Sequence, residues 1–223
     1  MASFMNKITI PLNSFSSVVF DMDGTMIDNM QYHKRAWISF FATYDILITD
    51  DLFKRDISGK SNNHILQTFF AKDLTLDEIK TFSEKKEALY REIYKDAIHE
   101  IRGLKDVLET LKGYDKQLAI ATTATQKNRD FALSQLALSP YFAVIKGEEH
   151  VKHGKPHPEI YLATAKDLGV APNNCIVFED TPSGVAAAVD AGMTVVGLLT
   201  THSKEELHRA TYHIDDYSDV AFS

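Results

Sequence analysis

The sequence lacks the features that mark several broad classes of protein. Its only cysteine is Cys175, which excludes an internal disulfide and fits a buried packing role. No stretch approaches the roughly 20 apolar residues that a membrane-spanning helix needs. The first 17 residues carry a single lysine, Lys7, and lack the basic start and continuous apolar region of a secretion signal. We therefore expect a cytoplasmic protein with no membrane partner.

The chain also lacks an excess of basic residues. Lysine and arginine number 24 against 31 acidic residues, a net charge of −7. Binding to a nucleic acid backbone depends on clustered positive charge, so we expect no nucleic acid partner. A small phosphorylated ligand is still compatible with this charge, because a bound divalent cation reverses the local field. A chain of 223 residues with 44% hydrophobic residues fits one medium domain with a sizeable insertion.

The most informative segment is an apolar run that ends in two acids. Residues 17–20 read SVVF and are followed by Asp21, Met22, Asp23, Gly24 and Thr25. Such a run predicts a buried strand with two carboxylates at its tip. In α/β proteins, ligands bind at this end of the sheet. Taken alone, the segment is equally typical of an ordinary loop, in which Asp and Gly are common.

Three later segments favour a functional site. Thr122 and Thr123 follow the apolar run 118–121, and Lys155 precedes a predicted helix start. Glu179 and Asp180 follow the apolar run 176–178. Polar residues thus stand at the ends of several predicted strands, in one chain order.

These four segments together resemble the motifs of the haloacid dehalogenase superfamily, in the order in which the superfamily has them. The match runs from about residue 18 to residue 197. The resemblance implies an α/β fold with a Rossmann-like parallel sheet and an inserted α-helical cap domain. The superfamily's dehalogenases lack the second acid of the first motif. This chain keeps it as Asp23, which points to phosphoryl transfer.

The pattern along the chain agrees with that architecture. Strands are predicted at 17–20, 117–121, 143–145, 175–178, 194–197 and weakly at 212–214, and helices between them at 104–112, 126–136, 158–168 and 183–191. This alternation predicts a parallel sheet. Helices alone are predicted at 32–44, 51–54, 62–70 and 76–94. We therefore predict a core domain of residues 1–30 and 101–223, and a helical cap domain of residues 31–100.

The residue types also suggest roles in phosphate ester chemistry. Asp21 is the candidate nucleophile, since a carboxylate forms an aspartyl-phosphate that splits the reaction into two easier steps. Asp23 is the candidate general acid and base. Lys155 supplies positive charge for Asp21 and for the phosphoryl oxygens. Thr122 offers a hydroxyl to phosphate.

Clustered carboxylates require a cation, and Mg²⁺ suits carboxylate and phosphate oxygens. The predicted metal residues are Asp21, Asp23, Glu179 and Asp180. The resemblance implies that Asp23 contributes its backbone carbonyl. Glu179 is either a ligand through water or an orienting group, and Thr25 either completes the motif or only braces the turn.

Substrate contacts are expected mainly from the cap. His33, Gly59 and Lys86 match positions that β-phosphoglucomutase and related sugar-phosphate phosphatases use, and Thr123 is a further candidate. Two alternatives are open: His33 as a structural histidine, and Lys86 as a solvated charge. The mutases grip a distal phosphate with a cap arginine, and that position falls on Asn62 here. A neutral amide is a weaker anchor than a guanidinium.

We therefore predict a Mg²⁺-dependent phosphatase of a small phosphorylated sugar or related metabolite, with three alternatives left open. These are β-phosphoglucomutase, an inorganic pyrophosphatase and a non-catalytic sensor of phosphorylated metabolites. The resemblance to capped members of the superfamily favours a monomer.

Overall fold

The structure is a computed structural model that describes residues 7–57, 60–70 and 73–223. The chain divides into two compact units. We call Met1–Asp28 together with Ile98–Ser223 the core unit, and Asn29–Ala97 the helical unit. Among the described residues, no helix combines the length and the apolar character needed to cross a membrane.

The core unit is built on a six-stranded parallel sheet. The strands of the described chain are β1 (Ile8–Ile10), β2 (Ser17–Phe20), β3 (Gln117–Ala121), β4 (Val144–Lys146), β5 (Cys175–Glu179), β6 (Thr194–Leu198), β7 (Tyr212–Ile214) and β8 (Val220–Phe222). The large sheet has the order β4-β3-β2-β5-β6-β7, and every pairing in it is parallel. The predicted α/β class with a parallel sheet is confirmed, and β2 lies in the middle with β3 and β5 as its neighbours.

Both faces of the central strands are buried, as their continuous apolar sequence requires. All four residues of β2 are buried. On one face, Val19 and Val177 pack into a cluster with apolar side chains from the helices that follow β4 and β5. On the other face, the rings of Phe20 and Phe178 stack with centroids 5.1 Å apart. Because both faces are buried, the point at which each strand ends in the sheet is fixed. The position of the polar residues that follow the strand is fixed with it.

Helices connect the strands of the core unit. They are α5 (Leu104–Gly113), α6 (Gln126–Gln135), α7 (Glu159–Leu168) and α8 (Pro182–Asp190). Helix α7 packs on β3 and β4, and α8 packs on β5 and β6. The cap of α8 is Thr181, whose side chain accepts a hydrogen bond from the backbone N–H of Gly184.

A two-stranded parallel sheet was not predicted. It joins β1 to β8, with Ile8 opposite Val220 and Ile10 opposite Phe222. Each strand has only three residues, and neither lies among the alternating predicted strands and helices that marked the equally short β4 and β7. The pairing of β1 with β8 joins the two ends of the described chain and is therefore a tertiary feature.

The helical unit packs around an aromatic core. Its helices are α1 (Met30–Ala42), α2 (Asp50–Leu52), which continues as a π-helical turn over Phe53–Ile57, α3 (Asn62–Phe70) and α4 (Leu76–Tyr94). Helices α1 and α3 both pack on α4. The rings of Trp37 and Phe41 stack at 5.3 Å, and those of Phe70 and Phe82 at 4.8 Å. Helix α4 begins with a capping box between Thr75 and Glu78.

The two boundaries between the units lie close to the predicted boundaries, but slightly earlier in the sequence. It falls between Asp28 and Asn29, and between Ala97 and Ile98. Helix α1 begins at Met30, two residues before the predicted start at 32. The segment around Glu100 belongs to the core unit because Glu100 forms a β-bridge with Ile27, and the Ile101 N–H donates to the Met26 carbonyl at 2.9 Å.

Candidate active site

Polar side chains of the core unit meet at the carboxyl ends of β2, β3 and β5. Asp21 follows β2, Thr122 follows β3, and Glu179 ends β5, with Asp180 next. The backbone N–H of Asp21 donates to the Phe178 carbonyl at 3.0 Å, which extends the strand pairing to the acid itself. The sheet therefore brings together residues that lie far apart in the sequence.

The turn after Asp21 requires Gly24. The N–H groups of Met26 and Ile27 both donate to the Met22 carbonyl, and Gly24 has φ +76°. A Cβ at this position would lie 2.2 Å from Oδ2 of Asp180. Glycine is thus required both by the backbone conformation and by the close approach of Asp180.

Lys155 is the buried cation of the site. Its Nζ donates to Asp21 Oδ1 at 2.6 Å, to Glu179 Oε1 at 2.6 Å and to the Ala121 carbonyl at 3.1 Å. These bonds use all three of its N–H donors. Burial acts to lower the pKa of Lys155, but the charges of Asp21 and Glu179 outweigh it and hold the pKa well above its usual range. Lys155 is therefore a fixed positive charge beside Asp21.

Glu179 serves as the anchor for Lys155. Its Oε1 also accepts from the Tyr161 hydroxyl at 3.0 Å, and its Oε2 accepts from the backbone N–H groups of Asp180 at 2.9 Å and Thr181 at 3.0 Å. Burial acts to raise the pKa of Glu179, yet Lys155 and these hydrogen bonds lower it, so the group is ionised. With both oxygens occupied, Glu179 fits the orienting role better than that of a direct metal ligand.

Asp180 is held by two hydroxyls. Thr25 Oγ1 donates to Asp180 Oδ1 at 2.8 Å, and Thr201 Oγ1 donates to Oδ2. Thr25 is fully buried, and its backbone carbonyl accepts a hydrogen bond from the Tyr217 hydroxyl at 3.0 Å. Thr25 therefore braces the turn and also orients an acid of the site.

The acid cluster suits a divalent cation. Asp21, Glu179 and Asp180 are buried and offer ligand atoms within 4.8 Å of one another. Burial raises the pKa of Asp21 to about 7, despite Lys155, and burial with the charges of Glu179 and Asp21 raises the pKa of Asp180 well above its usual range. One lysine does not balance three acids, and hard oxygen donors are the ligands that Mg²⁺ prefers. The acids present therefore fit a bound Mg²⁺ ion.

Three further predicted site residues, Asp23, Thr122 and Thr123, differ in how far they are buried. Asp23 is half-buried, and its carboxylate is not among the three that offer ligand atoms within 4.8 Å of one another. Its role as a metal ligand through the backbone carbonyl stays a prediction. Thr122 is buried, and its Oγ1 accepts a hydrogen bond from the Ala124 N–H at 3.2 Å, which leaves its own hydrogen to donate. Thr123 is exposed.

In the helical unit, Lys86 is buried rather than solvated. Its side chain is 2% exposed, and Nζ lies 2.8 Å from His33 Nδ1 and 2.9 Å from Glu87 Oε1. Glu87 Oε1 also accepts from Asn62 Nδ2 at 3.0 Å. The His33 ring stacks on Tyr90 at 3.8 Å. His33 and Lys86 are therefore in contact, and the alternative of a solvated Lys86 is wrong. The predicted Gly59 lies outside the described residues.

Several residues of the site were missed by the sequence analysis. Tyr161 holds Glu179 and Thr201 holds Asp180. Gly184 makes room for Glu179, since a Cβ there would lie 1.7 Å from Glu179 Oε1. The position of Gly184 in the first turn of α8, shortly after the acidic pair, is a local signal for it. Thr201 and Tyr161 stand in no local pattern that distinguishes them from other polar residues.

A family model described as haloacid dehalogenase-like hydrolase matches residues 18–198. The chain belongs to this family. The predicted resemblance is confirmed, and so is the prediction of an enzyme, a phosphatase of this superfamily.

Relatives with assigned activities are similar over most of the chain. A phosphorylated carbohydrates phosphatase of Thermotoga maritima is 33% identical over 177 residues, which cover 79% of this chain and 82% of the relative. A fructose-1-phosphate phosphatase of Escherichia coli is 32% identical over 183 residues, which cover 82% of this chain and 95% of the relative. The crystal structure of a β-phosphoglucomutase from Clostridium difficile aligns with a TM-score of 0.79 at 28% identity, covering 91% of this chain and 92% of that one.

Proposed function

We propose that the protein is a Mg²⁺-dependent phosphatase of a small phosphorylated sugar or related metabolite, acting through an aspartyl-phosphate on Asp21. The observation that carries this proposal is the contact of Lys155 Nζ with Asp21 Oδ1 at 2.6 Å, inside a buried group of acids. The contact occupies one carboxylate oxygen and leaves Oδ2 to act as the nucleophile.

In the first step, Asp21 Oδ2 attacks phosphorus and the bond to the ester oxygen breaks. Asp23 donates a proton to the leaving oxygen. In the second step, Asp23 takes a proton from a water molecule, whose oxygen attacks phosphorus and releases phosphate and free Asp21. Asp23 is suited to this exchange because its side chain is half-buried, whereas Asp21 and Asp180 are buried.

The other residues of the site bind and orient. Lys155 remains protonated throughout and places its positive charge beside the transferring phosphoryl group, in place of bulk water. Thr122 donates its hydroxyl hydrogen to a phosphoryl oxygen. Asp21, Asp180 and the backbone of Asp23 would hold Mg²⁺, which when bound neutralises charge on the acids and the phosphate.

The relatives support a sugar phosphate as the substrate class. Two of them are named as phosphatases of phosphorylated carbohydrates and of fructose 1-phosphate. The helical unit supports hydrolysis over mutase activity. Asn62 stands at the position of the mutase arginine and already donates to Glu87, whose charge also offsets that of Lys86. A mutase must hold a second phosphate, and this group of side chains has little positive charge to offer one.

β-Phosphoglucomutase is the second candidate, because the chain is similar in structure to one such enzyme and keeps His33 and Lys86 in contact. Pyrophosphatase activity has no specific support. A non-catalytic sensor is disfavoured, since Asp21, Asp23, Lys155 and Asp180 are all present. The cytoplasmic location, the monomeric state and the absence of a nucleic acid partner remain predictions.

The test is phosphate release from a panel of hexose, pentose and nucleoside phosphates, pyrophosphate and an aryl phosphate, with Mg²⁺ and with a chelator. We expect turnover of sugar phosphates that requires Mg²⁺ and falls at least about 10³-fold in Asp21→Asn. Conversion of β-glucose 1-phosphate to glucose 6-phosphate, primed by a bisphosphate and without phosphate release, would favour the mutase. Wild-type turnover no higher than that of Asp21→Asn on the whole panel would refute both.

A further inference from the structure

A second group of metal-ligating side chains lies in the segment that carries Lys155. His153, His157 and Glu159 each offer one ligand atom, and these three atoms lie within 4.8 Å of one another. Two imidazoles and one carboxylate form a different donor set from the three carboxylates around Asp21. This group has no part in the phosphatase mechanism proposed above.

The three side chains converge on one carboxylate oxygen. His153 Nδ1 lies 2.9 Å from Glu159 Oε2, and His157 Nδ1 lies 3.9 Å from the same oxygen. A tetrahedral ion with ligand distances of about 2.1 Å places its ligands about 3.4 Å apart. The observed distances lie on either side of this value. The side chains are 64%, 51% and 30% exposed, so small rotations are enough to bring them to it.

The backbone holds Glu159 in place for this role. Its two carboxylate oxygens accept hydrogen bonds from the N–H groups of Lys152 at 3.0 Å and His153 at 3.1 Å. These bonds, that of Lys152 first, lower the pKa of Glu159, so it is an anion. The carboxylate is thus oriented before any ion binds.

The rings of His153 and His157 lie close to each other near this carboxylate. Their centroids are 4.7 Å apart with an interplanar angle of 37°. The N–H of Glu159 donates a long hydrogen bond to His157 Nδ1 at 3.3 Å, which an ion bound at this nitrogen would replace. Each histidine therefore offers a nitrogen next to the anchored carboxylate.

We propose that His153, His157 and Glu159 form a second metal site, for a transition-metal dication such as Zn²⁺. Imidazole suits Zn²⁺, Ni²⁺ and Cu²⁺, whereas Mg²⁺ prefers oxygen ligands. Three protein ligands leave one position of a tetrahedral ion for water. Lys155 lies between the two histidines in the sequence, so the bound ion ties together the segment from which the catalytic lysine extends.

The first experiment is calorimetric titration of Zn²⁺ into the full chain in excess Mg²⁺, which keeps the carboxylate site filled. We expect the variant His153→Ala/His157→Ala to bind one Zn²⁺ fewer than the wild type. A matched variant, His64→Ala/His208→Ala, removes two exposed histidines elsewhere and is expected to bind as the wild type does. Equal Zn²⁺ binding by the wild type and the His153/His157 variant would overturn the proposal.

A second experiment locates the ion without a variant. We expect Zn²⁺ to slow hydrogen exchange of the backbone amides in residues 152–159, and an anomalous difference peak at the zinc edge between His153, His157 and Glu159. A peak only at Asp21 and Asp180 would reject the second site. Neither measurement requires turnover, so these outcomes are separate from those of the phosphatase assay.

Discussion

Thr25 Oγ1 donates a hydrogen bond to Asp180 Oδ1 at 2.8 Å, across 155 residues of sequence. Both side chains are buried, with exposures of 0% and 1%. The bond links the turn after β2 to the end of β5, and so sets the distance between the first acid of the site and the last. The hydroxyl that completes the first motif therefore acts on an acid of the fourth.

The substitution Thr25→Val removes this hydrogen bond while it keeps the side-chain shape. We expect the Mg²⁺ concentration for half-maximal activity to rise about 10- to 100-fold, the range typical for groups that orient metal ligands. Phosphate release measured over a Mg²⁺ series tests this. Thr25→Ser keeps the hydroxyl and is expected to behave nearly as the wild type, and an unchanged Mg²⁺ requirement in Thr25→Val would contradict the role of Thr25.

Gly184→Ala tests the packing of helix α8 against Glu179. The added Cβ would lie 1.7 Å from Glu179 Oε1, so Glu179 must move and Lys155 loses its anchor. We expect a loss of about 1–3 kcal/mol in the free energy of unfolding, the usual cost of overpacking, together with a large loss of activity. Urea denaturation and phosphate release measure the two effects.

The matched control is Gly113→Ala at the end of α5, where a Cβ has no neighbour within 4 Å. There, alanine reduces the freedom of the unfolded chain and is expected to stabilise the protein by about 0.4–1 kcal/mol. Equal effects of the two substitutions on the free energy of unfolding would show that Glu179 can move away from an added Cβ without cost.

The raised pKa of Asp21 makes the stability of the metal-free protein depend on pH. The folded protein binds this proton more tightly than the unfolded chain does, because the pKa rises from 3.8 to about 7. The destabilisation is therefore absent below the lower pKa, grows with pH between the two values and is complete above about 7. Added Mg²⁺ is expected to offset it at high pH, since the cation stabilises the ionised acids.

Urea denaturation in a chelator at pH 5 and pH 8 tests this dependence. We expect the free energy of unfolding of the wild type, minus that of Asp21→Asn, to fall as the pH rises. The substitution Asp130→Asn is the control, because the side chain of Asp130 is exposed, and its effect on the free energy of unfolding is expected to be small. A difference between wild type and Asp21→Asn that increases with pH would refute the effect of burial on Asp21.

The buried pair Lys86–Glu87 is expected to be strongly coupled. Burial acts to raise the pKa of Glu87, but Lys86, His33 and Asn62 lower it to about 2, so the pair is ionic. Removing one partner leaves the other charge buried, and we expect Lys86→Met or Glu87→Gln alone to cost about 3–5 kcal/mol. The double variant should cost clearly less than the sum.

A double-mutant cycle in urea at pH 7 measures this coupling. The pair Lys95–Glu92 at the C-terminal end of the same helix is the control, because its side chains are 47% and 68% exposed. No measurable coupling is expected there. Additive effects at Lys86 and Glu87 would indicate that the contact contributes little.

Much of the core unit follows from local sequence alone. The segments that became β2, β3 and β5 are continuous apolar runs followed by polar residues, and such runs form strands buried on both faces in any parallel sheet. The carboxyl ends of β2, β3 and β5 lie side by side at the same end of the sheet, so Asp21, Thr122 and Asp180 were predictable as neighbours. The strands β1 and β8 were not predicted, because they lie outside the alternation of strands and helices and, in the described chain, pair only with each other.

Only the tertiary structure determines which of the two acids is placed to bind a metal ion and which one orients Lys155. The sequence shows Glu179 and Asp180 as a pair of acids at the end of a strand. Because successive side chains there point in different directions, one meets Lys155 and Tyr161 while the other meets Thr25 and Thr201. These partners come from distant parts of the chain and leave no local pattern.

The same holds for Lys86, which a helix rich in lysine and glutamate would suggest is solvated. Its burial depends on Trp37 and His33 of another helix. Local periodicity thus determined the elements and the set of chemical groups available to the site. Packing between distant segments determined the hydrogen-bond partners and the burial of each group, and through them its charge.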